Sequence, residues 1–159
     1  MRLLCCLDGS NIEQLSHAVT SLLPSEGLIP GLLYVIDSGP HGDMGLQRER
    51  FLRTHKPDPM RRDQMREADE SSAQDILAEG LRYFPGAESI RREGRPEREI
   101  VNFAAEWNAD LIVICPRSPH SGGPALGPKS VGHVARFVLD HAPCAVLLAR
   151  MPAKNGFPL

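Results

Sequence analysis

The chain has 159 residues, 42% of them hydrophobic and 24% charged, which suits one domain with a real core and is too apolar for a disordered chain. Eighteen Lys and Arg against twenty Asp and Glu leave a net charge of −2, so there is no overall positive field to draw nucleic acid or anionic lipid. The opening apolar run is far shorter than a membrane span and meets an acidic residue at once, unlike a signal peptide; a cytoplasmic location is expected, with no nucleic acid and no membrane as partner.

Residues 2–7 (RLLCCL) form an unbroken apolar run that stops at Asp8-Gly9-Ser10, the pattern of a strand buried on both faces and ended by a turn. Ser10 and Glu13 fit a capping box, and Ile12, Leu15, Val19 and Leu22 follow at helical spacing up to Pro24, predicting a helix from about Asn11 to Leu23. A second apolar run, Leu32 to Ile36, follows a Pro30-Gly31 break and ends at Asp37-Ser38-Gly39-Pro40, which predicts strand 2. Residues 38–60 show little periodicity and read as a long variable loop, mobile or holding one short helix.

From Arg62 to Tyr83 the positions Met65, Ala68, Ala73, Ile76, Leu77 and Leu81 make a helical stripe among many charges, and the mixed signs between Arg61 and Glu70 read as a solvated face. Ala87 to Arg92 is poor in apolar residues, which suits a strand at a sheet edge. Gly94-Arg95-Pro96 opens the next helix, with Glu97 and Glu99 placed to complement its dipole and Ile100, Ala104 and Trp107 facing inward. Asp110 to Cys115 is the clearest buried strand, and Cys144 to Ala149 is the last. Between them Val131, Val134 and Val138 mark a helix closed by Pro143.

Alternating strands and helices of this kind predict a single-domain Rossmann-like α/β sandwich over residues 1–150, followed by a tail over 151–159. Its five-stranded parallel sheet is expected in the order 3-2-1-4-5, with helices on both faces. Cys5, Cys6, Cys115 and Cys144 all lie in apolar runs with no C-x-x-C pair, so buried thiols are expected and no metal site. Cys5 and Cys6 are adjacent in a strand and point to opposite faces.

In sheets of this class ligands bind beyond the carboxyl ends of the strands. That rim gathers Asp8, Val35 and the Gly-, Ser- and Pro-rich segment after Cys115, whose backbone N–H groups could receive an anion at the start of the last helix. Gly122 to Ser130 imitates a P-loop, but Pro128 interrupts it and the segment follows the fourth strand instead of the first.

The stretch DLIVI, a loop, and then GHVARFVLDHAPCAVLLAR resembles the signature of the universal stress protein family. Leu4 to Ser10, Leu33 to Asp37 and Gly94-Arg95-Pro96 are similar to further motifs of that family. ATP-binding members carry G-x2-G-x9-G-[ST] here. This chain has Cys115 and Ser118 at the first two glycine positions, thirteen residues from Ser118 to Gly132, and His133 in place of Ser or Thr. A Cβ at such positions crowds a phosphate path, while Gly122, Gly123, Lys129 and Ser130 offer material for another anion site.

The resemblance implies a non-enzymatic stress-response or regulatory binding protein acting as a homodimer through Cys144–Ala149, with an unknown protein partner and no catalytic or metal-binding residue. It also implies an alternative, an ATP- or adenine-nucleotide-binding protein with slow ATP hydrolysis. In that reading Asp8, Val35, Ser118, Gly122, Gly123, Lys129, Ser130, Gly132 and His133 line the site. Asp8 is as well suited to stabilising the turn before helix 1, and His133 to an ordinary position in a first helical turn.

Overall fold

The computed structural model describes residues 1–38, 58–116 and 131–150. Among them, strands β1 (Arg2–Leu7), β2 (Ile29–Asp37), β3 (Glu88–Gly94), β4 (Leu111–Ile114) and β5 (Ala145–Leu148) form one sheet in the order β3-β2-β1-β4-β5. Every pairing is parallel. The helices are α1 (Ile12–Leu22), α2 (Pro59–Tyr83), α3 (Pro96–Glu106) and α4 (His133–His141). The chain leaves central β1 for β2 and β3 on one side, then crosses back to β4 and β5 on the other, so strand order reverses between β1 and β4.

The pleat of β1 sorts its side chains between two cores. Leu3, Cys5 and Leu7 pack with Leu15, Val19 and Leu77 beneath α1 and α2. Leu4 and Cys6 pack with Ile100, Phe103 and Val138 beneath α3 and α4. The adjacent cysteines therefore serve different layers, and all four thiols are free. The two outer strands are the sequence-poor β3 and the apolar β5.

Several expectations need correction. The Ser10–Glu13 capping box does not form: Asn11 occupies the N-cap of α1, and the Ser10 hydroxyl donates to the Asp8 carboxylate instead. Leu22 lies on the outer side of α1, 65% exposed, and Ala18 takes the inward place, because the buried face is set by Leu15, Ala18 and Val19. Helix α2 begins at Pro59, inside the segment 38–60 read as loop, with Pro59 in its first turn and the Asp58 side chain accepting from the Met60 amide.

Burial along α2 starts only at Ala73, so Met65 and Ala68 are exposed; the predicted stripe holds for Ala73, Ile76, Leu77 and Leu81 alone. β3 runs on to Gly94, and β5 is shorter at both ends than Cys144–Ala149.

Helix α2 is seated by Gly80, where an added Cβ would stand 2.9 Å from Leu32 Cδ1 and 3.2 Å from Leu7 Cδ1. Leu32 is fully buried, so its side chain would have to shift within the packed core. Gly80→Ala is expected to destabilise the fold by about 1–2 kcal/mol despite alanine's better helix propensity, read as a lower urea midpoint at unchanged slope.

Candidate functional site

The rim at the carboxyl ends of β1, β2 and β4 is built around the turn Asp8-Gly9-Ser10-Asn11. Gly9 adopts φ 94°, a left-handed conformation that glycine enters without Cβ strain. Asp8 Oδ1 accepts from the Ser10 amide at 2.8 Å and from its hydroxyl at 3.1 Å. Asn11 is 6% exposed; its Oδ1 accepts from the Asp8 amide at 3.0 Å and its Nδ2 donates to the Cys6 carbonyl at 2.9 Å. One amide side chain thus satisfies two backbone groups where β1 ends.

Asn11 also hydrogen-bonds the Cys115 thiol. Cys115 is only 7% exposed and closes the end of β4 beside β1. Burial first, and then the Asp8 charge, push its thiol up to about 12 against the smaller opposing effect of that hydrogen bond. Burial likewise raises Cys5 to about 12 and Cys6 well above the ordinary thiol value. None of the three is a thiolate at neutral pH, so none is a ready nucleophile or soft metal ligand.

Leu7 pairs with Tyr34, so the next residues along the two strands, Asp8 and Val35, meet at the rim. Val35 is half-buried toward the α3 and α4 layer. Tyr34 turns to the other layer, and its hydroxyl is held above its usual titration range by burial, then by Asp69 on α2 and by Asp8. The rim thus brings Asp8, Val35 and Cys115 together. Gly132 caps α4 at φ 82° and ψ 169°, again a conformation for glycine. His133 follows it, with Nε2 3.5 Å from Oε1 of Glu97 on α3. Ser118, Gly122, Gly123, Lys129 and Ser130 lie outside the described residues.

Two positions of the family's glycine-loop motif can be compared among the described residues. Where such a loop offers bare backbone, Cys115 places a buried side chain bonded to Asn11. Where it offers a hydroxyl, His133 faces the carboxylate of Glu97, a residue only 8% exposed. Among the described residues no group of three or more His, Cys, Asp or Glu side chains could hold a metal ion.

Two of these residues escape sequence reasoning. Asn11 looks like one more polar residue in a turn, although an amide directly before an apolar helix is a capping signal. Glu97 reads as a dipole partner, and only the packing of α4 against α3 reveals its burial.

With this geometry in view, the chain belongs to the universal stress protein family, whose pattern matches residues 1–150. No curated protein matches it. Its fold is similar to that of a universal stress protein from Archaeoglobus fulgidus, at 18% identity and TM-score 0.56 over 94% of this chain and 98% of that one. It is similar to universal stress protein UspA from Lactobacillus plantarum, at 22% identity and TM-score 0.53 over 94% and 97%. A family protein from Arabidopsis thaliana with AMP bound is similar at 16% identity and TM-score 0.58, over 97% and 94%.

Two measurements check the rim. Asn11→Ala strands the Asp8 amide and the Cys6 carbonyl and is expected to cost about 2–3 kcal/mol in urea unfolding. The raised thiols of Cys5 and Cys115 bind protons more tightly folded than unfolded, so their contribution is full below about 9, the ordinary thiol pKa, and is lost as pH climbs toward about 12. The urea midpoint should fall between pH 9 and pH 11 (roughly the lower part of that window), and a Cys5→Ala/Cys115→Ala variant should fall less steeply.

Proposed function

We propose that the chain is a non-enzymatic regulatory binding protein of the stress response that works as a homodimer, its ligand state altering contact with a protein partner. The observation that carries this reading is the contrast between the two sheet edges. β3 presents Glu88, Arg91, Arg92 and Glu93, charges of the kind that blunt an edge. β5 presents Ala145 exposed and Val146, Leu147 and Leu148 half-buried, with no charge along it. An uncharged edge strand of this kind invites pairing, and a two-fold axis would cover it with its own copy.

A non-enzymatic role is supported by the chemistry of the rim, where the thiols stay protonated, Asp8 is engaged by Ser10 and His133 is drawn to Glu97. The four free cysteines fit a reducing, cytoplasmic setting, and among the described residues no helix is long and apolar enough to cross a membrane.

Adenine-nucleotide binding is the second reading, with Asp8 and Val35 at the sugar and base end. It draws on the Arabidopsis thaliana relative with AMP bound and on the meeting of those two residues at the rim. Slow ATP hydrolysis belongs to this reading and not to the first.

Light scattering at micromolar concentration should give twice the chain mass of 17.5 kDa. Ala145→Arg, at a position already exposed in the single chain, should raise the dimer dissociation constant by about 100-fold, close to 3 kcal/mol, with an unchanged far-UV spectrum. A monomeric wild-type protein would end the homodimer reading. ATP hydrolysis with magnesium above the protein-free blank would favour the second reading over the first.

A further inference from the structure

Helix α2 outruns the sheet it packs on. Residues 59–72 are exposed throughout, and burial begins only at Ala73. The overhang is about four turns, roughly 21 Å of helix at 1.5 Å per residue. Helices in proteins draw most of their stability from packing, yet no residue of these turns is buried.

The charges of the overhang are sorted by sign. Arg61, Arg62 and Arg66 come first along the chain, then Glu67, Asp69 and Glu70, and Asp63 alone departs from this order. The helix dipole favours the reverse, with acids at the amino end. Beyond its Asp58 cap, the first turn of α2 holds no acid and holds Arg61 and Arg62. A solvated face accounts for charges of both signs but not for their segregation, and the needs of a lone helix would order them the other way.

One stripe runs through the overhang at the three- and four-residue steps of paired helices: Arg62, Met65, Asp69 and Ser72. It leads into Ile76, which packs over Gly9 in the turn after β1. Met65 is 42% exposed, a flexible apolar side chain set between a cation and an anion. Arg62 and Asp69 make no ion pair among the described residues, while Glu70, off this stripe, pairs with Arg91 of β3 at 3.5 Å.

Turned end for end against its own copy, the segment 59–72 meets itself at a midpoint between Met65 and Arg66. Arg62 of each copy then lies opposite Asp69 of the other, one such pair on either side of a Met65–Met65 contact. A parallel pair would instead set Arg62 against Arg62 and Asp69 against Asp69.

We propose that residues 59–72 of α2 are an interaction surface for a second copy of this chain, which docks there as an antiparallel helix pair about a two-fold axis. The antiparallel direction keeps the two sheets at opposite ends of the pair, because each helix reaches its own sheet only at Ala73. This contact is separate from the β5 edge, since α2 packs on β2 and β3 at the other side of the sheet. A helix pair of this length buries less than the about 1,200 Å² of a stable interface, so its dissociation constant is on the order of 100 μM, and salt weakens it. Two different two-fold contacts on one chain would join β5 dimers into a tetramer or a longer array as concentration rises.

The test is sedimentation equilibrium on the full chain at low salt, up to about 1 mM, with Ala145→Arg as parent so that β5 does not contribute. The average mass of this parent should climb from 17.5 kDa toward twice that value and fall back in about 0.5 M salt. Arg62→Glu alone and Asp69→Arg alone should each weaken self-association at least tenfold, with unchanged far-UV spectra, because both positions are exposed. The double exchange Arg62→Glu/Asp69→Arg should restore it. An equimolar mixture of the two single variants should associate as well, because the antiparallel register sets their altered positions against each other and leaves one native pair intact.

A parent that stays monomeric throughout overturns the proposal and leaves this face to a different protein. A single variant that associates as well as the parent, or a double exchange that fails to recover, overturns it equally. The same measurement with Ala145 in place reads the β5 contact by itself: a dimer at micromolar concentration that grows no further sinks the α2 contact alone.

Discussion

The burial of β1 on both faces is the constraint on which the rest of the molecule depends. Five of its six residues are removed from solvent, and each side chain belongs to one of two helix layers. A strand so enclosed has no freedom to slip, since a shift of one residue would exchange the two cores. It also stands beside the reversal of strand order, so the rim forms where the backbone is most firmly held. The turn that follows must leave that strand without stranding buried backbone groups, and Asn11 performs this task from inside the protein.

Much of the fold is legible in the residues themselves. Unbroken apolar runs such as RLLCCL and DLIVI announce strands covered on both sides, and the polar character of 87–92 announces an edge. What fails does so for identifiable reasons. The S-x-x-E pattern at Ser10 is present, yet the Ser10 hydroxyl donates to the Asp8 carboxylate and Asn11 takes the N-cap, so a bond within the turn displaces the capping box. Asp58-Pro59 is a sound helix start, but the charge-rich stretch behind it hides the signal. Periodicity can say which face of α2 is inward and cannot say where the sheet beneath it stops.

The site is less legible than the fold. Its position follows from topology, and Asp8 and Val35 do meet there. Its chemistry depends on residues far apart in the chain: Asn11 beside Cys115, His133 facing Glu97, and the Tyr34 hydroxyl in the field of Asp69. None of these pairs has a spacing that a sequence pattern could reveal. The departures from the glycine motif are visible beforehand, but only the packed structure shows that Cys115 and His133 are tied to neighbours.

The placement of Cys5 and Cys6 has a practical corollary. Neighbours in the chain, they report on separate halves of the molecule, because the sulfur of one is sealed under α1 and α2 and that of the other under α3 and α4. A thiol reagent reaches either only when the covering helices lift, so single-cysteine versions would act as paired gauges, one residue apart, of which layer peels away first.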